Sequence, residues 1–263
     1  VNNYIYPSRW VANMDQWIGR ADYNINSANR LYFRYGENPF EEFRGLVWPT
    51  RSVAESSGNT PLLRNGRNWT ADWTSTVSPT MTLNLRAGLA RWEEAGGNGY
   101  GTGFDPRSLG FASSLVSQFT RLQFPGFSLG QYQQIGNGRP ISPGTNDTYT
   151  LQPNMSTVAG SHFLKIGAEV REFRDNRANP GNASGFYTFG RNWTQAAANR
   201  ADTVSGNELA TFLLGFPTQA TVDRNIDTAY TSRYYAIFLQ DDWKVNSRFT
   251  VNAGLRWDYE TGL

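Results

Sequence analysis

The most regular feature of the chain is an alternation of apolar and polar residues that begins after a short turn. In residues 234–259 the turn is Asn246-Ser247-Arg248, and apolar side chains then occupy nearly every second position from Phe249 to Tyr259. A period of two indicates a β-strand with one apolar and one polar face. A strand of about ten residues with an apolar outside and a polar inside is typical of a barrel that spans a membrane.

Three other segments repeat this hairpin layout. Each has a short turn followed by an alternating segment, and they cover residues 16–36, 68–92 and 148–173. The repetition predicts an all-β fold, an antiparallel up-and-down transmembrane β-barrel, of which about eight to ten strands are present. The incoming strand at residues 235–242 alternates poorly, so the pattern does not assign its two faces.

Charges of both signs lie on the polar faces of these strands. In a membrane barrel this face lines the lumen, where charged side chains contact water or an internal plug. The same charges also fit a solvated strand face, and the alternation does not separate these alternatives. The lumen-facing candidates are Arg34, Arg86, Lys165, Glu169, Arg171, Arg256 and Asp258.

Aromatic residues are frequent, at 14% of the chain with nine tryptophans, and rings concentrate at the two interfaces of a membrane. Trp17, Trp73 and Trp243 lie a few residues before a predicted turn, whereas Trp92 and Trp257 lie near the far ends of outgoing strands. This spacing predicts two aromatic girdles. The alternative is that these rings pack the core of a soluble sheet. The interface candidates are Trp17, Trp73, Trp92, Trp243, Trp257 and Tyr259.

Long, polar, glycine-rich connections alternate with the short turns. Two of them are predicted at residues 37–66 and 93–146, with a shorter one at 175–184 and a short helix at 109–122. This asymmetry is typical of outer-membrane barrels, which have periplasmic turns and long extracellular loops. Loops of this kind carry ligand recognition. The candidate ligand contacts are the loop aromatics Tyr100, Phe104, Phe127 and Tyr132.

Composition excludes several other classes. The hydrophobic fraction is 39%, and no stretch approaches the 18 or so apolar residues that a membrane-spanning helix needs. The chain has no cysteine, so disulfides, thiolate metal sites and thiol nucleophiles are excluded. The net charge is +2 and the basic residues are dispersed, which argues against a groove for nucleic acid.

Catalytic chemistry has little support in the sequence. His162 is the only histidine and lies beside a predicted turn, which excludes a zinc site built on several histidines. The acidic pairs Glu93-Glu94 and Asp241-Asp242 consist of adjacent strand residues, which point to opposite faces. We therefore expect no enzymatic activity, no metal site and no cofactor.

The last hairpin resembles the barrel hairpins of TonB-dependent outer-membrane receptors, especially the Oar-like group. The similarity rests on Gln240-Asp241-Asp242-Trp243 before the turn and on Gly254-Leu255-Arg256-Trp257-Asp258 after it. Residues 207–217 (NELATFLLGFP) add to it, because that group often has a Phe-Leu-Leu-Gly segment followed by Pro ahead of such a hairpin. The remaining chain resembles the family only in its general pattern.

The resemblance implies a barrel of about 22 strands in the outer membrane of a Gram-negative-type bacterium. It also implies an N-terminal plug and energised uptake of a large solute. Neither a plug, a coupling box nor a signal peptide is recognisable, so residues 1–263 are expected to be one partial barrel domain, a fragment that supplies wall and ligand-capturing loops. The implied partners are membrane lipid, the plug and remaining strands, the TonB energy-coupling complex and an unknown extracellular ligand.

Two other functions fit the residues. One is a small, complete barrel that acts as a passive pore or adhesin. The other is a soluble all-β carbohydrate-binding protein, in which the loop aromatics stack on sugar rings. An isolated partial barrel has two open edges and a wide apolar face, so we expect it to aggregate in water.

Overall fold

The structure is a computed structural model that describes residues 5–48, 52–56, 61–97, 99–197 and 204–262. These residues form a large antiparallel sheet and a small three-stranded sheet. The large sheet consists of β1 (Val11–Met14), β2 (Trp17–Asn24), β3 (Asn29–Phe43), β4 (Leu62–Ser78), β5 (Met81–Gly96), β7 (Ser142–Ala159), β8 (His162–Arg177), β11 (Thr228–Lys244) and β12 (Thr250–Glu260). The small sheet consists of β6 (Gly126–Ser128), β9 (Phe186–Thr188) and β10 (Gln219–Thr221). The α-helices are α1 (Ser113–Val116) and α2 (Glu208–Leu213).

The large sheet has the up-and-down order that the sequence predicts. Its strands follow one another as β3-β4-β5-β7-β8-β11-β12, and β1 and β2 both pair with the other edge of β3. The four predicted hairpins are confirmed as β2–β3, β4–β5, β7–β8 and β11–β12. Within the described ranges the sheet does not close, because β12 has a neighbour on one side only.

The long strands extend beyond the predicted hairpins. β4 has 17 residues and β7 has 18, whereas about 9–11 residues suffice to cross a bilayer. The predicted loops 37–66 and 93–146 were therefore too long, because β3 ends at Phe43, β5 ends at Gly96 and β7 begins at Ser142. The extra residues, such as 93–96 (EEAG) and 142–146 (SPGTN), lack the regular alternation that marks a lipid-facing strand.

The third long connection was predicted at the wrong length. It runs from residue 178 to residue 227, not from 175 to 184, and includes β9, α2 and β10. These elements have three to six residues each, which is too short for a periodic pattern to appear in the sequence. The predicted helix at 109–122 is confirmed only as the four-residue α1, which follows a 3₁₀-helix at Pro106–Leu109.

The hairpins are staggered along the sheet. β4 continues to Ser78, beyond the Asn29–Ser75 pair, and β7 continues to Ala159, beyond the Met81–Thr157 pair. A progressive shift of this kind accompanies the tilt of strands in a barrel wall.

No helix in the described part of the chain is both long and apolar enough to cross a membrane.

Strand register assigns the two faces of the sheet, because residues paired across strands point to the same side. Ala87, Leu151, Val170 and Tyr235 are paired in one row and define the apolar face. The neighbouring positions, such as Arg86, define the polar face. In β11, whose faces the pattern left open, Tyr235, Ile237 and Leu239 lie on the apolar face, and Ala236, Phe238 and Gln240 lie on the polar face.

The long connections pack together at one end of the sheet into a loop unit, formed by residues 104–135, 183–197 and 204–221 with Ala54. β6 pairs in parallel with β9, which also pairs with β10, so segments far apart in sequence share one small sheet. The core of the loop unit consists of Phe124, Phe127, Leu129, Tyr187 and Phe189, with Ala54, Phe104, Phe111, Ile135 and Phe212 packed against it. This end of the molecule is therefore a packed structure and not a set of independent loops.

Candidate functional site

All seven predicted lumen-facing residues lie on the polar face. Arg86 is paired with Asp72, Arg171 with Tyr234, and Glu169 with Ala236, which is itself paired with Asp258. The polar face is therefore a continuous surface that crosses strands β2 to β12. Whether it faces a lumen stays a prediction.

Asp72 is a buried acid on this face, with a side chain that is 6% exposed. It accepts hydrogen bonds from Arg86 Nε at 2.9 Å and from Asn84 Nδ2 at 2.8 Å. Asn84 also donates to Thr74 Oγ1 at 3.0 Å. Each polar group is thus paired across β4 and β5, which offsets the cost of removing the carboxylate from water.

A second network joins β8, β11 and β12. Arg256 donates from Nε to Asp258 at 2.8 Å and from Nη2 to the Tyr234 hydroxyl at 2.8 Å, and Nη2 lies 3.6 Å from a Glu169 oxygen. Glu169 also forms an ion pair with Arg171. Four of the predicted residues thus form one cluster of hydrogen bonds and ion pairs.

The other two predicted cations, Lys165 and Arg34, have fewer polar contacts. The ammonium of Lys165 lies 5.3 Å from the centre of the Phe163 ring. In the part of the chain that the structure describes, neither Lys165 nor Arg34 forms an ion pair. Nearby on β2 and β3, Asp22 pairs with Arg20 at 2.7 Å and with Arg30 at 2.6 Å. Arg34 and Lys165 therefore remain available to a partner on the polar face.

Aromatic rings on the polar face lie over glycines of neighbouring strands. Phe238 covers Gly167, whose side of the sheet is so crowded that an added Cβ would collide with the ring and with Asn154. The Trp92 ring lies 3.4 Å from the position of a Cβ on Gly66. A ring over a glycine fills the gap that the missing side chain leaves, which helps to fix the strand register.

We expect Gly167→Leu to destabilise the sheet by about 1–3 kcal/mol, because the new side chain must displace Phe238 and Asn154. The free energy of unfolding in denaturant measures this loss. Gly19→Leu is the matched control, since no atom lies within 4 Å of a Cβ at Gly19. Equal stability of the two variants would show that packing of the Phe238 ring over Gly167 does not contribute to the stability of the sheet.

Five of the six predicted interface aromatics lie on the apolar face, and Trp92 does not. Trp92 is paired with Gly66 and lies on the polar face, which corrects its assignment. It follows Leu85 by seven residues, and an odd separation along a strand reverses the side. Trp17 is paired with Glu37 near the middle of β3, so it does not lie just before a short turn. Membrane contact stays a prediction for the five aromatic residues on the apolar face, which are Trp17, Trp73, Trp243, Trp257 and Tyr259.

Ion pairs replace apolar residues toward the loop end of the apolar face, which the sequence analysis missed. Arg67 binds both Glu37 and Glu93, each at 2.9 Å, and Arg91 binds Asp147 at 2.7 Å. These ion pairs lie on the loop side of the paired residues Tyr35 and Trp69, whose ring centres are 5.5 Å apart. The change from rings to ion pairs marks the loop-side limit of the apolar band.

The four aromatic residues predicted to contact a ligand differ in how deeply they are buried in the structure. Phe127 is buried and its ring centre lies 5.6 Å from that of Phe212, and Phe104 packs on Phe124 at 4.9 Å. Phe127 belongs to the core and is not free to stack on a ligand, which corrects its assignment, whereas Phe104 is half-buried and packs against that core. Tyr132 is exposed, and its hydroxyl accepts a hydrogen bond from Asn207 at 2.8 Å. Tyr100 lies half-buried at the base of the same connection.

Tyr187 supplies a titratable group inside the loop unit. Burial raises the pKa of its hydroxyl to about 12 from the ordinary value of 10.0, and the hydroxyl has no hydrogen-bond partner among the described residues. The unfolded loop unit loses this proton at lower pH than the folded one. Stability contributed by the neutral phenol is therefore present below pH 10 and is lost as the pH rises toward 12.

We expect Tyr187→Phe to keep the loop unit folded at higher pH than the unmodified protein. The phenylalanine cannot ionise, and removing an unpaired buried hydroxyl is nearly neutral at pH 7. Limited proteolysis of the loops between pH 8 and pH 12 measures the midpoint of opening. Tyr132→Phe is the control, because its hydroxyl is exposed. The same alkaline midpoint for both variants would contradict this account.

His162 does not form part of a catalytic arrangement. Its Nδ1 lies 2.7 Å from an Asp241 oxygen and its ring stacks on Trp243 at 5.4 Å, on the apolar face at the turn end. Among the residues that the structure describes, no three His, Asp or Glu side chains are placed to hold a metal ion. The absence of enzymatic activity stays a prediction.

A wide antiparallel sheet with staggered hairpins, one apolar face and one polar face has the geometry of a membrane barrel wall. The sequence matches the family described as "Outer membrane beta barrel domain" over residues 1–263. The chain belongs to this family. Members are outer-membrane proteins, so this outer-membrane β-barrel domain is in contact with membrane lipid.

The fold is similar to that of a solved outer-membrane transporter. The outer membrane transporter YddB from Escherichia coli is similar with a TM-score of 0.58 and 10% identity, over 95% of this chain and 28% of that one. The ferric-catecholate import receptor Fiu from E. coli K12 aligns with a TM-score of 0.43 and 11% identity, over 94% of this chain and 35% of that one. No curated protein sequence gives a significant match. The chain thus spans 28% of the length of YddB.

Proposed function

We propose that this chain forms barrel wall and ligand-capturing loops of a TonB-dependent outer-membrane receptor that takes up a large solute. The observation that carries the proposal is the polar face, which extends from β2 to β12 and carries ion pairs and hydrogen bonds between strands, as in the Arg86–Asp72 pair of β4 and β5 and the Arg256–Tyr234 contact of β11 and β12. A barrel that surrounds a protein plug needs such a surface, because polar plug groups must find hydrogen-bond partners inside the wall. The resemblance of residues 207–217 and 234–259 to Oar-like receptors supports the same function.

The plug would bind where the wall has unused hydrogen-bonding capacity. Arg34 and Lys165 are cations without an ion pair among the described residues, whereas the Arg86–Asp72 and Arg256–Asp258 pairs are complete. Acidic or carbonyl groups of a plug would satisfy the two free cations. Residues 1–263 would then be a fragment of the receptor, with the plug and further strands elsewhere in the protein.

The loop unit would capture the ligand at the outer surface. Its aromatic core holds three connections in one arrangement, and preorganised loops lose less conformational entropy on binding. Force from the energy-coupling complex would then displace the plug and release the solute inward. The wall performs no covalent chemistry in this scheme.

A passive pore remains the competing function, and the soluble carbohydrate-binding alternative is excluded by membership in an outer-membrane family. The distinguishing experiment uses cells that produce the full-length protein and measures accumulation of solutes too large for porins. We expect accumulation that depends on the protein and disappears when the proton-motive force is collapsed or the coupling protein is deleted. Accumulation that persists without energy would identify a passive pore and contradict the proposal.

A further inference from the structure

A trough lies on the polar face where β5 and β7 meet the loops. It consists of two adjoining cavities of about 260 Å³ and 360 Å³ that share Gly96 and Ser142 in their walls. The first is lined by Trp92, Glu94 and Asn146, and the second by Arg139, Asp223 and Asn225. The trough is thus large enough for a ligand of several rings and opens on the side from which solutes would arrive.

Trp92 provides an aromatic surface beside these polar groups. Its side chain is 41% exposed, although it lies on the polar face and not on the lipid-facing one. Gly66 on the adjacent strand leaves room for the indole to lie flat against the wall. An exposed tryptophan in a polar cavity has unused apolar area, which favours a ligand with an apolar face.

Part of the polar lining is fixed and part is free. Arg64 holds Glu94 at 2.7 Å, Asp175 holds Arg177 at 2.9 Å, and Asp223 accepts from the backbone N–H of Asn182 at 2.7 Å. By contrast, no described residue forms a hydrogen bond with the side chains of Asn146, Asn225 or Arg139. The trough therefore combines charged groups that neighbouring residues hold in place with donors and acceptors that have no partner among the described residues.

We propose that this trough binds a neutral oligosaccharide, an inference that rests on the proposed receptor function and specifies its substrate class. Sugar rings have C–H faces that pack on an indole and hydroxyls that both donate and accept hydrogen bonds. Carboxamides, guanidiniums and carboxylates together match such hydroxyls. A small number of polar groups around an apolar surface is the usual composition of a ligand pocket.

The other ligand classes fit less well. An anionic ligand favours an excess of cations, but Arg139 and Arg177 are balanced by Glu94 and Asp223. An extended peptide that adds to a sheet needs a free strand edge, and β5 is paired on both sides, with β4 and β7. The balanced charge and the single ring point to an uncharged hydroxylated ligand.

Binding of neutral hexasaccharides to the full-length protein in detergent tests this site. The probes are β-1,4-glucan, β-1,4-mannan, β-1,4-xylan and α-1,4-glucan hexasaccharides, with hexagalacturonate and a hexapeptide as charged and peptide comparisons, measured by titration calorimetry. We expect one neutral probe to bind, and Trp92→Ala to weaken it by roughly tenfold or more, as for a central aromatic contact. Trp92→Phe should retain most of the affinity.

Asn225→Ala and Trp69→Ala serve as further variants. Asn225 is exposed in a loop, so its loss should weaken binding several-fold without changing the fold, whereas Trp69 lies on the apolar face and its loss should leave binding unchanged. Binding of none of the neutral probes, or binding unaffected by both Trp92→Ala and Asn225→Ala, overturns the inference. Because binding in detergent needs no coupling complex, such a result leaves energy-dependent uptake to be judged separately.

Discussion

Leu85→Arg should destabilise the folded barrel by about 2–4 kcal/mol, the cost of placing an arginine at mid-depth on a lipid-facing strand. Leu85 lies on the apolar face, near the middle of the apolar part of β5 that runs from Met81 to Leu89. Its neighbours across the sheet are Trp73 and Pro153, which offer the guanidinium no partner. Equilibrium unfolding in urea, with the protein in lipid vesicles, measures the change.

The control for this prediction is Thr82→Arg, three residues earlier on the same strand. Thr82 lies on the polar face and is paired with Thr76 and Ser156, so an arginine there meets water and hydroxyl groups. We expect a change of less than about 0.5 kcal/mol, as for an ordinary exposed site. A reversed order, with Thr82→Arg the more damaging, would mean that the two faces have been assigned the wrong way round.

Phe127→Ala should open the loop unit while leaving the wall folded. Phe127 is 8% exposed, and its ring centre lies within 6.4 Å of those of Phe124, Tyr187, Phe189 and Phe212. Truncating a buried phenylalanine costs about 3–5 kcal/mol, because the removed ring leaves a cavity. A structure as small as the loop unit has little stability in reserve, so protease cleavage between residues 99 and 141 should increase sharply.

Phe216→Ala makes the same chemical change at a solvent-exposed site. Phe216 is 57% exposed and touches only the edge of the unit, with its ring 5.9 Å from that of Trp193. We expect its proteolysis pattern to match that of the unmodified protein. The unfolding transition of the wall, followed by tryptophan fluorescence, should be the same in both variants. Loss of the wall together with the loops in Phe127→Ala would show that the two are one cooperative unit.

The local pattern of apolar and polar residues was sufficient to predict the four hairpins. Alternation from Met81 to Leu89 fixes which side chains share a face, because successive side chains of any strand point to opposite sides. The same rule places Trp92 on the polar face, and the sequence contained that information in its separation from Leu85. Here the error arose from treating every tryptophan near a strand end as an interface residue.

The sequence alone did not determine which residues are paired across neighbouring strands. Arg86 could be placed on a polar face, but only the register of β4 and β5 brings it to Asp72, 14 positions earlier in the chain. Likewise, the faces of β11 became clear only from its alignment with Val170 on β8. Contacts across strands depend on register, and turn position alone does not determine the register of long strands.

The sequence by itself determined the fold class, the four hairpins and the polar and apolar sides of the outgoing strands, because these follow from periodicity within a few neighbouring residues. The tertiary structure decided the loop unit, the trough around Trp92 and the burial of Phe127. These features join segments more than 50 residues apart, such as β6 and β9, through short elements that have no period of their own. Their positions are set by packing of side chains from different connections, which no local pattern encodes.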